Sequence, residues 1–188
     1  DAHNNLGVLM HEQGKLDQAI LSFRRALDIN PSYVNAYNSF GALQNEQGRQ
    51  DEAQSSYVKA LTLQPNNVVA LNNLGITLKE KGDFEEARKC FLRTLSYKPD
   101  YADCARNLSV IFEDEDKPLL TDTVNLILSK AKPESDDYMY AYFAMANVNI
   151  KSKKYADAVR CLDIASSKWK HKAEYVFHKD QYLFKSIK

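Results

Sequence analysis

Large apolar residues recur along this chain at a fixed interval, with small residues at fixed places between them. Leu6, Phe40 and Leu74 are evenly spaced, and Phe23, Tyr57 and Phe91 keep the same interval. Each member of the first set is followed by a glycine, Gly7, Gly41 or Gly75. Each aromatic of the second set follows an alanine, Ala19, Ala53 or Ala87, by one helical turn, which puts both on one helical face. Small residues at these points let two helices approach closely. The pattern therefore predicts helix pairs over about 1–13/16–29, 34–47/50–63 and 68–81/84–97. Gly14, Gly48 and Gly82 supply the left-handed residue that closes each first helix. Asp17, Asp51 and Asp83 fall near the start of each second helix, at the positive end of its dipole. Pro31, Pro65, Pro99 and Pro133 hold the same period. They stop each second helix, because the residue before a proline is pushed out of the helical region. The repeat uses all six glycines, so none is left for a phosphate-cradling loop.

A helical hairpin repeating every ~34 residues, with these small and aromatic positions, resembles the tetratricopeptide-repeat family over residues 1 to 100. The resemblance implies an all-α fold: a right-handed superhelical solenoid of antiparallel helix pairs, which buries its apolar surface between neighbouring hairpins. Three regular repeats are expected at about 1–33, 34–67 and 68–101. A degenerate fourth follows over 102–135, where Ser109 takes the glycine position and the turn reads EDEDKP. Its helices are expected at 102–114, with Leu108, Ile111 and Phe112 apolar, and at 118–131, with Leu120, Val124, Ile127 and Leu128 inward. Pro118 suits the first turn of the second of these. A fifth hairpin over 136–170, with helices at 138–152 and 155–168, keeps Ala146 and Ala158 at the small positions, displaced three residues from the strict frame. Residues 171–188 read as a C-terminal capping or linking helix.

Formal net charge is zero, which gives no reason to expect nucleic acid or an anionic membrane as partner. Residues 101–150 carry a net charge of minus five and residues 151–188 a net of plus six, so an acidic stretch precedes a basic one. Solvated helix faces are the expected reading of both, with docking on a partner or a neighbouring domain as the alternative. Cys90, Cys104 and Cys161 are widely spaced, without the paired spacing of zinc or redox motifs, and read as small apolar residues. No apolar run approaches the roughly 20 residues that span a bilayer, and no secretory leader opens the chain. A reducing, cytoplasmic setting is the default expectation. The chain begins at Asp1 without a methionine, which reads as a segment from which a leader or further domain was removed.

In tetratricopeptide proteins the first helix of each hairpin lines the concave groove, and the resemblance maps its lining positions onto specific residues here. One column reads Asn4, Asn38, Asn72 and Arg106, and the next reads Asn5, Ser39, Asn73 and Asn107. This resembles the asparagine ladder of the O-GlcNAc transferases. A carboxamide both donates and accepts, so such a column can hold the N–H and C=O of an extended peptide without reading its side chains. Asparagine is a mediocre helix former, so adjacent pairs in three helices ask for an explanation; an exposed polar face or bonds to the next repeat are the structural ones. Val8, Ala42, Ile76 and Val110 form an apolar floor beside it, and Glu12, Glu46, Glu80 and Asp114 an acidic edge. The expected partner is a protein or peptide, with no metal and no cofactor.

The co-chaperone type of groove clamps a C-terminal carboxylate with cations, but the matching positions here carry Asn4, Val69 and Asn73. Catalysis is not expected in this segment. His3, His11, His171 and His178 are scattered, and no serine or cysteine has a base and an orienting partner in its sequence context. Two functional classes remain: a free-standing interaction scaffold, or the substrate-recognition arm of a larger transferase. The second draws on a likeness of residues 138–188 to bacterial proteins in which such repeats precede a sulfotransferase domain, and on the glycosyltransferase-like asparagine column. Exposed ends of the array also offer a route to self-association.

Overall fold

The computed structural model describes residues 1–167. These form ten α-helices, with no strand among the described residues: α1 (Ala2–Glu12), α2 (Leu16–Ile29), α3 (Val34–Glu46), α4 (Gln50–Leu63), α5 (Val68–Lys81), α6 (Phe84–Tyr97), α7 (Ala102–Ile111), α8 (Lys117–Lys130), α9 (Asp136–Lys151) and α10 (Tyr155–Ser167). None is long and apolar enough to cross a membrane. The chain divides into two compact units, Asp1–Pro99 and the residues from Asp100 onward. The expected capping helix over 171–188 lies outside the described residues.

In the first unit each odd helix pairs antiparallel with the next, and α2 and α4 pack on the first helix of the following hairpin. The glycines explain how closely the partners sit. A Cβ added to Gly7 would lie 2.6 Å from the Phe23 ring, one at Gly41 2.8 Å from Tyr57, and one at Gly75 2.6 Å from Phe91. These rings are fully buried, and they seat against bare backbone. Any side chain there would push the hairpin open. Between hairpins, Ala19, Phe23, Phe40 and Leu43 form one buried cluster. Helix bounds over residues 1–99 match the sequence expectation closely, because cap and breaker chemistry agrees with the apolar period. Gly14, Gly48 and Gly82 take φ of 71°, 74° and 88°, the left-handed turn that leads into each second helix.

The second unit departs from that plan where the motif decays. Ser109 stands at the glycine position and is buried, donating to the Arg106 carbonyl at 2.7 Å and accepting from Asn147 Nδ2 at 2.9 Å. Asn125, at the aromatic position of the same repeat, is exposed. With neither the gap nor the ring, α7 packs chiefly on α9 and less on α8. Helix α7 ends at Ile111, short of the expected 114. Phe112 turns extended, and a single 3-10 turn over Asp114–Asp116 follows. A reciprocal capping box closes that turn, with the buried Asp116 carboxylate accepting from the Glu113 amide at 2.9 Å. Pro118 then sits in the first turn of α8. Leu120, Val124 and Ile127 are buried as expected, while Leu128 is half-buried. In the last hairpin Lys153 adopts φ of 59° where the earlier repeats place glycine, in keeping with the three-residue frame shift.

Candidate functional site

Helices α1, α3 and α5 lie side by side in the first unit. The ring-on-glycine contacts fix how each rolls about its own axis, and thereby which columns of side chains look away from the second helices. Adjacent residues on a helix point about 100° apart, so neighbouring asparagines meet different surroundings.

Asn4, Asn38 and Asn72 are buried. The Asn38 amide nitrogen donates at 3.1 Å to Asn67 Oδ1. Asn67 is the N-cap of α5, and the same oxygen accepts from the Ala70 amide at 2.9 Å. Because Asn67 must accept from the helix, the Asn38 nitrogen has to be the group that faces it. Asn38 therefore ties its hairpin to the start of the next. The Oδ1 atoms of Asn4 and Asn38 are buried with no hydrogen-bond partner among the described residues.

The neighbouring column lies nearer the surface. Asn5 is exposed, and Ser39 and Asn73 are half-buried. Asn73 already has one partner, since its side chain hydrogen-bonds the Tyr57 hydroxyl. Burial, and secondarily the Glu80 and Glu46 carboxylates, raise the Tyr57 pKa far above the ordinary phenol value, with the Asn73 bond a partial offset. Val8, Ala42 and Ile76 are half-buried along the same face, as an apolar floor requires. Arg106, Asn107 and Val110 belong to the second unit. There Arg106 bonds Asp103 at 2.9 Å, with its guanidinium 5.0 Å from the centre of the Tyr140 ring, close enough for a cation–π contact. Asn107 is buried, its amide donating to the Asp103 carbonyl at 3.0 Å, and Val110 is exposed.

The acidic edge proves to be bonded across repeats. His11 Nε2 lies 2.6 Å from Glu46 Oε2. One repeat later, Asn45 Nδ2 donates to Glu80 Oε2 at 2.9 Å, while Asn45 Oδ1 accepts from the Thr77 hydroxyl at 3.0 Å. Both carboxylate pairs join residues 35 apart, one more than the repeat. That offset was the signal available in the sequence for finding them. Glu12, in the first repeat, is exposed. In the second unit Lys151 lies 3.9 Å from Asp114 and 3.7 Å from Glu113, and its ammonium donates to the Phe112 carbonyl at 2.5 Å.

Models of the tetratricopeptide repeat match residues 9–45, 34–67 and 56–89. Residues 9–89 are built of tetratricopeptide repeats. This array is similar to solved structures of the same fold. One is PilF of Pseudomonas aeruginosa, with a TM-score of 0.70 and 24% identity over 89% of this chain and 75% of that one. Another is MamA, with a TM-score of 0.66 and 20% identity over 93% of this chain and 94% of that one. No curated protein matches the chain. Tetratricopeptide arrays typically serve as protein–protein interaction modules and generally lack catalysis of their own.

Proposed function

We propose that the face of α1, α3 and α5 binds an extended segment of a partner protein, with Asn5, Ser39 and Asn73 bonding its backbone over the floor of Val8, Ala42 and Ile76. The observation that carries this reading is the register. Three side chains that both donate and accept stand at one repeat position on three adjacent helices, each at least partly open to solvent beside apolar residues. Helices are about 10 Å across, a distance an extended chain covers in roughly three residues. One side chain per three ligand residues is then in register, and the ligand's own side chains are left largely unread. Behind this row the buried Asn38 holds its hairpin to the next. In the degenerate fourth repeat the equivalent sequence positions carry Arg106, Asn107 and Val110. Three regular repeats to about residue 101, with degenerate hairpins over 102–135 and 136–170, is the matching division of the chain. It acts by binding and not by catalysis, and its partners are proteins, a second copy of itself among them.

The test is binding of the whole chain to an unbiased library of extended peptides, compared with the Asn5→Ala/Ser39→Ala variant. Both substitutions lie at open positions, whereas Asn73 also supports Tyr57 and is left intact. Sequence-tolerant binding that the variant loses, at unchanged melting temperature, supports the proposal. Binding retained in full by the variant removes this face from consideration.

A further inference from the structure

The apolar floor on α3 and α5 ends in two exposed carboxylates that the protein directs but does not pair with lysine or arginine. Glu46 and Glu80 stand at one repeat position. His11 meets Oε2 of Glu46, and Asn45 donates to Oε2 of Glu80. An amide fixes a carboxylate by a hydrogen bond without cancelling its charge. Among the described residues no lysine or arginine pairs with either group. Helices α1 and α3 contain no lysine or arginine. On α5, Lys81 bonds Asp51 and Gln54 of the second helix α4, and Lys79 is also engaged. After burial, the charges of Glu80 and Glu46 are what raise the pKa of the Tyr57 hydroxyl, which Asn73 bonds. Their charge therefore reaches the binding row. The residues beside that row add to the imbalance: Asn4 and Asn38 are 6% and 8% exposed, and their Oδ1 atoms lack a donor among the described residues. This face holds more acceptors and negative charge than its own donors satisfy.

Spacing specifies how the missing donors are arranged. Row, floor and carboxylate follow at i, i+3 and i+7: Ser39, Ala42 and Glu46 on α3, and Asn73, Ile76 and Glu80 on α5. Such positions share one helical face, and seven residues carry the surface about 10 Å along the helix. The strip between row and carboxylate is apolar. A lysine or arginine side chain suits it, because the methylene stem lies along apolar surface while the charged head stays at the polar end. Along the ligand the same demand recurs with each hairpin. A polyproline II backbone turns a side chain to the same side every three residues and rises about 3.1 Å per residue, so equivalent side chains stand about 9 Å apart. That is close to the ~10 Å width of a helix.

We propose that the segment bound on this face is basic, with lysine or arginine at every third residue, its side-chain stems over Ala42 and Ile76 and its charged heads at Glu46 and Glu80. This rests on the reading that the face binds an extended segment, and it adds the choice of side chain that the backbone-bonding row does not make.

Fluorescence anisotropy of the whole chain with short labelled peptides of alanine, glutamine and proline tests this. One peptide carries lysine at every third residue, a second carries the same lysines at every second residue, and a third has glutamine in their place. At low salt the first is expected to bind roughly four- to twenty-five-fold tighter than the third, two exposed ion pairs contributing a factor of about two to five each. The margin is expected to shrink as salt rises. Glu46→Gln/Glu80→Gln keeps acceptors for His11 and Asn45, and is expected to bind the first and third peptides alike at unchanged melting temperature. Glu85→Gln/Glu86→Gln removes the same charge from the second helix α6 and is expected to keep the full margin. Equal binding of the lysine and glutamine peptides by the wild-type chain overturns the proposal. So does a margin that survives Glu46→Gln/Glu80→Gln or falls equally in Glu85→Gln/Glu86→Gln, and so does equal or tighter binding of the every-second-residue peptide. A glutamine peptide that binds wild type and is lost by Asn5→Ala/Ser39→Ala, with no lysine margin, defeats this proposal alone and leaves the groove reading standing. If none of the peptides binds, both fall.

Discussion

Gly41→Ala sets two well-understood effects against each other and lets their sign decide. Alanine is the better helix former by about 1 kcal/mol, so on an isolated helix the change is a gain. In this fold the new Cβ would lie 2.8, 3.0 and 3.1 Å from three atoms of the Tyr57 ring. Carbon atoms prefer a separation of about 3.5–4.0 Å. The ring has little room to withdraw. It is 2% exposed, and its hydroxyl is held by Asn73 on the next hairpin. Overpacking of a filled core costs about 1–3 kcal/mol, and with both ends of the tyrosine fixed the upper half of that range applies. The expected net result is a loss of about 1–2 kcal/mol after the helix-propensity gain, read as a lower urea midpoint by circular dichroism. In a Tyr57→Leu background, which removes the ring, Gly41→Ala is expected to become neutral or stabilising. Stabilisation of the wild-type chain by Gly41→Ala would refute the claim that the ring-on-glycine contact sets the hairpin spacing.

Lys153 holds a left-handed conformation that glycine adopts freely. Lys153→Gly is therefore expected to raise stability by about 0.5–1 kcal/mol in the same urea assay. Asn67→Ala removes the α5 N-cap and the anchor of Asn38 together. By the same assay its expected cost is about 1 kcal/mol or somewhat more. Ser135→Ala is expected to cost less, because its cap bond to the Tyr138 amide is longer, at 3.3 Å. Alkaline pH is expected to unfold the chain progressively. Tyr57, Tyr101 and Tyr140 have pKa values raised chiefly by burial, and Tyr142 chiefly by its bond to Tyr138, so the fold holds these protons more tightly than the unfolded chain does. Their stabilisation is complete below the unfolded phenol pKa near ~10 and falls away as pH rises above it. Tyr57→Phe is expected to flatten that part of a melting-temperature profile. Burial likewise pushes the Cys90 thiol up to about 11. Alkylation at neutral pH, followed by mass spectrometry, is expected to be slower there than for a small thiol.

The architecture was legible because every level of the sequence agreed: apolar period, small contact positions, left-handed glycines and helix-stopping prolines. Residues 1–99 fold as those signals direct. Legibility weakened where the signals were replaced one at a time. Ser109 in place of glycine and Asn125 in place of a ring alter which helix α7 packs on, and periodicity says nothing of that choice. The early stop of α7 came from a side-chain cap, Asp116 on the Glu113 amide, which competes with the helix for the same backbone groups. At the candidate site the sequence identified the two asparagine columns but did not separate their surroundings. Asn38 and Asn5 look equivalent as letters. A turn of about 100° sends one into the seam between hairpins and leaves the other in solvent. The bonds of Asn73 to Tyr57 and of His11 to Glu46 depend on how far one hairpin is shifted against the next. Only the packed structure supplies that shift.

The central claim is that the α1, α3 and α5 face carries the partner. A photo-crosslinking phenylalanine analogue placed at Asn35 sits one turn before Ser39 on α3, exposed on the same face. Placed at Ser55, the same probe sits exposed on the second helix α4. With a bound library peptide, crosslinks are expected from position 35 and not from position 55. Crosslinks from 55 alone would contradict the account and place the partner on the second helices.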